Sequence, residues 1–202
     1  MKKALIVFLA VFLSLSACGK SASQETDDLP MKETGPPAAQ TAPKTYKTME
    51  EFEEEEGKTG TGLVYYVPDL PAEQYRLKEI TKRDGVYVML EYSVLLPQAE
   101  DKTLGDYDSE RLGTLICRTS LFENGEKALK DTFIDNGYIA FTWNGNTFYR
   151  WDEHAENKPS ERIVGYEIAF LQNGMLVFMH LPAVRPFEEM MEYTALAERV
   201  IP

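Results

Sequence analysis

Residues 165–181 read GYEIAFLQNGMLVFMHL. Two apolar runs flank Asn173-Gly174, a dipeptide that suits a two-residue turn because both of its central positions need positive φ. A tight turn makes the runs antiparallel, and side chains then alternate between two faces. Tyr166, Ile168, Phe170, Val177, Met179 and Leu181 form one face. On the other, Ala169 meets Phe178, Leu171 meets Leu176, and Glu167 meets His180 as a cross-strand ion pair. The stretch predicts a β-hairpin at the heart of a sheet. Its second face is apolar enough to need a cover.

Working outward, Asp84-Gly85, Asn124-Gly125, Asn136-Gly137 and Asn144-Gly145 mark further turns. YRLKEITKRDGVYVMLEYSV predicts a hairpin with Val86, Val88, Leu90, Tyr92 and Val94 on one face. A strand over 113–122 follows. In YIAFTWNGNTFYRW, a two-residue loop sets Trp143 opposite Asn146, Phe141 opposite Phe148, and Ile139 opposite Arg150. The closing PFEEMMEYTALAERVIP has Phe187, Met190, Met191, Thr194, Ala197 and Ile201 at helical spacing, with Pro186 and two glutamates at its start. It predicts a helix that covers the sheet. Residues 49–56 predict a short acidic helix. The sum is an α+β domain over 49–202: a curved antiparallel sheet of five to seven strands, a C-terminal helix packed on it, and a short N-terminal helix.

The start of the chain has another character. MKKALIVFLAVFLSLSACGK has two lysines, an apolar run too short to span ~30 Å of hydrocarbon, and a small-residue exit. It predicts an export signal over 1–17. Leu15-Ser16-Ala17-Cys18 resembles the lipobox of bacterial lipoproteins. The resemblance implies a diacylglyceryl group on the Cys18 sulfur, cleavage before Cys18, and a mature protein held by its lipid on the extracytoplasmic face of the cell membrane. Residues 19–48 are rich in Pro, Ser, Thr, Ala and Gln without hydrophobic periodicity. With Cys18 they predict a lipidated, disordered tether over 18–48, with a coil span of about 30 Å.

The folded part resembles, at VPDLPAEQYRLKEI (67–80) and NGMLVFMHLPAVRPFEEMMEYTALAERV (173–200), an uncharacterised extracytoplasmic domain family of Gram-positive lipoproteins and membrane proteins. That family is distantly similar to lipoprotein-carrier half-barrels, whose curved sheet holds acyl chains or a partner peptide. The resemblance implies a fold and supplies no catalytic residues.

Charge excludes some partners. The chain has a formal net charge of −12, with two lysines in the signal. Such acidity argues against nucleic acid and anionic lipid heads. Gly57-Lys58-Thr59 has the ending of a phosphate loop, but Phe52 stands where that loop needs Gly, and Glu53 to Glu56 precede it. No nucleotide is expected. Cys117, alone once Cys18 is lipidated, reads as a buried strand residue.

The chain carries few signs of catalytic chemistry. Gly-x-Ser-x-Gly, Ser-x-x-Lys and His-Glu-x-x-His motifs are lacking. His154 beside Asp152 and Glu153 is a poor metal set, because three neighbours in one loop rarely converge. Asp106-x-Asp108-x-Glu110 begins like a calcium loop but has Arg111 and Cys117 where the loop needs Gly and Glu. No metal or cofactor is implied. The positive clue is aromatic: Trp143, Tyr149, Arg150 and Trp151 cluster at one hairpin and could grip a sugar or peptide. The expectation is a non-enzymatic binding or sensing lipoprotein for a lipid, glycan or partner protein, with a cavity near Phe170, Phe178 and Met190. The alternatives are an assembly lipoprotein working only through protein contacts, and a carboxylate-based wall hydrolase.

Overall fold

The computed structural model describes residues 42–156 and 162–202; the signal, Cys18 and the tether up to residue 41 lie outside them. The described chain opens with β1 (Lys44–Tyr46), α1 (Met49–Gly57) and β2 (Leu63–Pro68). Next come β3 (Tyr75–Arg83), β4 (Tyr87–Val94), α2 (Asp106–Gly113), β5 (Thr114–Ser120) and α3 (Gly125–Thr132). Two hairpins follow, β6 (Ile139–Trp143) with β7 (Asn146–His154) and β8 (Ile163–Gln172) with β9 (Met175–Pro182). The chain closes with α4 (Phe187–Met191) and β10 (Leu196–Ile201). β1 pairs antiparallel with β3.

The fold is mixed α and β, and the ten described strands exceed the expected five to seven. Eight make one open antiparallel sheet in the order β1-β3-β4-β5-β9-β8-β7-β6; β10 and β2 make a separate ribbon. The β8–β9 and β6–β7 registers are those read from the sequence, including Glu167 opposite His180 and Trp143 opposite Asn146. Asn144 and Asn173 take φ of 48° and 49°, and the glycines after them are also positive, as a type I′ turn requires.

The first face carries the main core, with Ile80, Leu90, Leu115, Val177, Met179, Leu181, Ile168 and Phe170 buried. Three pieces cover it. At one end α1 inserts Phe52, whose ring lies 5.2 Å from Tyr46 and 5.3 Å from Tyr65. Thr48 caps this helix by accepting from the Glu51 amide at 3.1 Å. In the middle, the β2–β10 ribbon brings Tyr65 and Tyr66 onto the sheet, and the Tyr66 amide donates to Thr119 Oγ1 at 3.0 Å. At the far end α4 lays Phe187 on Tyr166 and Met190 on Tyr75.

The closing helix is therefore present, but it ends at Met191 and covers the first face. A 3-10 turn over Glu192–Thr194 follows, where Thr194 Oγ1 donates to the Met191 carbonyl at 2.7 Å. The chain then extends as β10, so Ala197 and Ile201 belong to a strand. The second face is covered by α2 and α3, two polar helices of eight residues each. Asn124-Gly125 is not a hairpin turn: Asn124 caps α3 by accepting from the Lys127 amide. Gly125 is required there, since a Cβ would lie 2.3 Å from the Gly174 carbonyl oxygen. Gly125→Ala is expected to lower unfolding free energy by about 1–3 kcal/mol, the usual cost of overpacking, in urea titration.

Gly57-Lys58-Thr59 lies at the C-terminal end of α1, with Gly57 as its last residue. Anion loops use a helix N-terminus. Lys58 is engaged by Glu54 and Glu55.

Candidate functional site

Strands β6 and β7 end the sheet opposite β1. Alternation sends Ile139, Phe141 and Trp143 of β6 to the first face, together with Phe148 and Arg150 of β7. Phe187 from α4 stands over them, 5.5 Å from Phe141 and 4.9 Å from Tyr166. The space left between the sheet rim and α4 is a pocket of about 750 Å³. Its walls include Ile139, Phe141, Trp143, Arg150, Trp151 and Phe187. That size suits a small ligand or one or two side chains of a partner.

Arg150 is locked in place. Its guanidinium sits 3.8 Å from the Phe187 ring centre and 4.8 Å from that of Tyr166. Nε and Nη2 donate to the two oxygens of Asp152, at 2.5 and 3.0 Å. The pair is internally neutral. Glu188, also on the pocket wall and exposed, has no ion-pair partner among the described residues. The pocket therefore offers aromatic rings, a fixed guanidinium face, the imidazole of His154 and, among the described residues, the uncompensated carboxylate of Glu188.

Three of the four sequence-predicted binding residues, Trp143, Arg150 and Trp151, reach this pocket. Tyr149 does not; alternation puts it on the second face opposite Ala140, and Trp151 shares that face, its ring 6.0 Å from Tyr138, and borders the pocket from there. Phe187 was missed because it comes from a segment 36 residues beyond Trp151. Phe170, Phe178 and Met190 are buried and line neither this pocket nor the second one, beside Lys44 and Lys82. The pocket described here lies instead at the open rim. Cys18, the predicted lipid site, lies outside the described residues.

The sequence also missed a buried ionic cluster on the second face, beneath α2. His180 is fully buried, yet it does not pair with Glu167, its cross-strand neighbour. Its Nε2 donates to the Arg111 carbonyl at 2.8 Å. Its Nδ1 lies 2.7 Å from Glu153 Oε2, in ion-pair range but off the line a hydrogen bond needs. Glu153 sits on β7, and the intervening β8 residue is Gly165. A Cβ on Gly165 would come within 2.2 Å of the His180 ring and 2.7 Å of Glu153 Oε2, so only glycine lets the two meet across β8. Arg111 bridges Glu153 and Glu167, and the Tyr138 hydroxyl donates to Glu167.

Burial works against the charge on Glu153, but contacts with His180 and Arg111 outweigh it and hold its pKa below the usual range. Burial also dominates at Glu167 and raises its pKa. Perturbed carboxylates beside a histidine can mark an active site. Here His180 has no exposed surface, and the groups are spent on one another. Cys117 is similarly closed off, with burial pushing its thiol up to about 12. Among the described residues no group of three or more His, Cys, Asp or Glu converges as a metal site. Asp152 is held by Arg150 and Glu153 by Arg111. Asp108, from the calcium-like run, is buried in α2 and accepts from the Glu156 amide.

Comparison of the chain with protein families, with curated proteins and with solved structures finds no match in any of the three. Among the described residues no helix is long and apolar enough to cross a membrane.

Proposed function

We propose that this chain is a lipid-anchored, extracytoplasmic binding or sensing lipoprotein, non-enzymatic, whose ligand occupies the pocket between the β6–β7 rim and α4. The observation that carries the reading is that pocket. Its aromatic walls are preorganised by the sheet, and its one guanidinium is fixed by two rings and a carboxylate. Such a site suits flat or aliphatic groups. The open rim favours a ligand that extends beyond the pocket, a glycan or a partner protein segment, over a fully enclosed acyl chain. The anchor rests on the lipobox: two acyl chains give stable attachment, where one does not.

Two experiments test the reading. Cys18→Ala should move the protein out of the membrane fraction; retention at wild-type level would defeat the anchoring. Trp143 and Trp151 are the only two tryptophans, and both line the pocket. Intrinsic fluorescence is therefore a built-in reporter. Titration with short-chain phospholipid, cell-wall glycan fragments and extended peptides should give a saturable change with at least one class, and Phe187→Ala should weaken it at least tenfold. Silence with all three would count against the site.

A further inference from the structure

The two edges of the eight-stranded sheet differ. At one, β1 has only three residues, carries Lys44 and follows Pro43. Short length, Lys and Pro are the usual devices that keep an edge from pairing. At the other, β6 reads IAFTW, with no charge, no proline and no bulge in its pairing with β7. Ile139 is 74% exposed on it. An uncharged, regular apolar edge is a template for another strand.

Hairpin geometry says which groups it offers. In a two-residue hairpin the residues flanking the turn, Trp143 and Asn146, form a hydrogen-bonded pair, and the pairing type then alternates. Phe141 and Ile139 thus point their amides and carbonyls toward β7, while Thr142 and Ala140 point theirs outward. Both outward residues are exposed, and β6 pairs only with β7 among the described residues. Their small side chains face away from the pocket. A strand added here would run beside Ile139, Phe141 and Trp143, with alternate side chains reaching the pocket.

Charge selects the occupant. Arg150 is neutralised by Asp152, which leaves Glu188 as the pocket's net charge. The chain as a whole is strongly acidic, so a second copy would be repelled. We propose that the outer edge of β6 captures an extended basic peptide segment of a partner protein as a ninth strand, with a Lys or Arg stem on the aromatic wall and its head at Glu188. This deepens the binding-module reading and rests on it.

The test uses the full chain in lipid nanodiscs and two capped peptides, TKVKVKT and TEVEVET. The basic peptide should slow amide exchange at Ala140 and Thr142 at least tenfold and shift tryptophan fluorescence, and the acidic one should do neither. Thr142→Pro removes an outward amide without touching the β6–β7 ladder, and should weaken the basic peptide at least tenfold. Should that variant misfold, the TKVKVKT peptide N-methylated at its lysines, and separately at its valines, gives the same answer on unaltered protein: one phase must fail to bind. A fluorescence change without protection at β6 overturns the ninth-strand proposal and leaves the pocket reading intact, as does binding of a glycan fragment or phospholipid alone. Protection that grows with protein concentration in the absence of peptide would assign the edge to a second copy and overturn it too. No response to any probe defeats both.

Discussion

Arg111→Ala is expected to cost about 3–5 kcal/mol of stability, because it removes the cation from a buried cluster and leaves two carboxylates facing each other. Glu153 and Glu167 both contact Arg111, and both side chains are nearly buried. Chemical denaturation should show the midpoint falling without a change in slope. A loss under about 1 kcal/mol would mean that the cluster is as forgiving as a surface pair.

The same cluster fixes the sign of two pH effects. Glu153 has a folded pKa below its ordinary value of about 4.3. Its contribution is full above that value and is lost as pH falls through the folded pKa. Glu167 is shifted the other way, chiefly by burial. Its contribution is full at low pH and is lost as pH rises past 4.3, roughly, and through the raised folded value. Glu167→Gln should therefore gain stability relative to wild type as pH rises toward neutrality. A constant difference across that range would contradict the assignment.

The second large effect is expected at the other end of the sheet. Lys82 and Glu56 form an ion pair with side chains only 8% and 1% exposed. Tyr46 donates to Glu56 at 2.6 Å, and Asp84 joins Lys82 at 2.8 Å. Burial penalises the Glu56 carboxylate, but hydrogen bonds from Lys82 and Tyr46 override it and lower its pKa. Lys82→Ala should cost about 3–5 kcal/mol, because it leaves the buried Glu56 of α1 only the Tyr46 hydroxyl and the half-exposed Lys44, 3.9 Å away. The double variant Lys82→Met with Glu56→Leu should recover most of that loss, since an apolar pair of similar volume removes the stranded charge. Additive losses in the double variant would show that the pair is not coupled.

The hairpins were legible in the sequence because two independent signals agreed there. Asn-Gly supplied the turn, and strict alternation around it supplied the faces. At 124–125 only the dipeptide was present; the polar run EKALKDT has no alternation, and Asn124 serves as a helix cap. α2 and α3 were illegible for the same reason, being short, polar helices held by the sheet and not by their own propensity. After Met191 the residues Thr194, Ala197 and Ile201 kept helical spacing, which does not decide the element. The 3-10 turn at Glu192–Thr194 and pairing with β2 decided for a strand, and β2 lies more than 120 residues away in sequence.

The site divides in the same way. Trp143, Arg150 and Trp151 belong to one hairpin, so proximity in sequence exposed them. Phe187 closes the pocket from another segment. His180 was misassigned because register names the nearest strand neighbour, Glu167, whereas the side chain reaches over Gly165 to the next strand. No local pattern carries that information.

The proposed function stands on the pocket, and native mass spectrometry probes its occupancy without a chosen ligand. The full chain would be expressed with its own signal, released gently into nanodiscs, and weighed without denaturation beside Phe187→Ala. The expected result is a bound mass of peptide or glycan size on the wild-type protein that is lost or much reduced in the variant. A bare wild-type mass, or an adduct equally present in both, would contradict it.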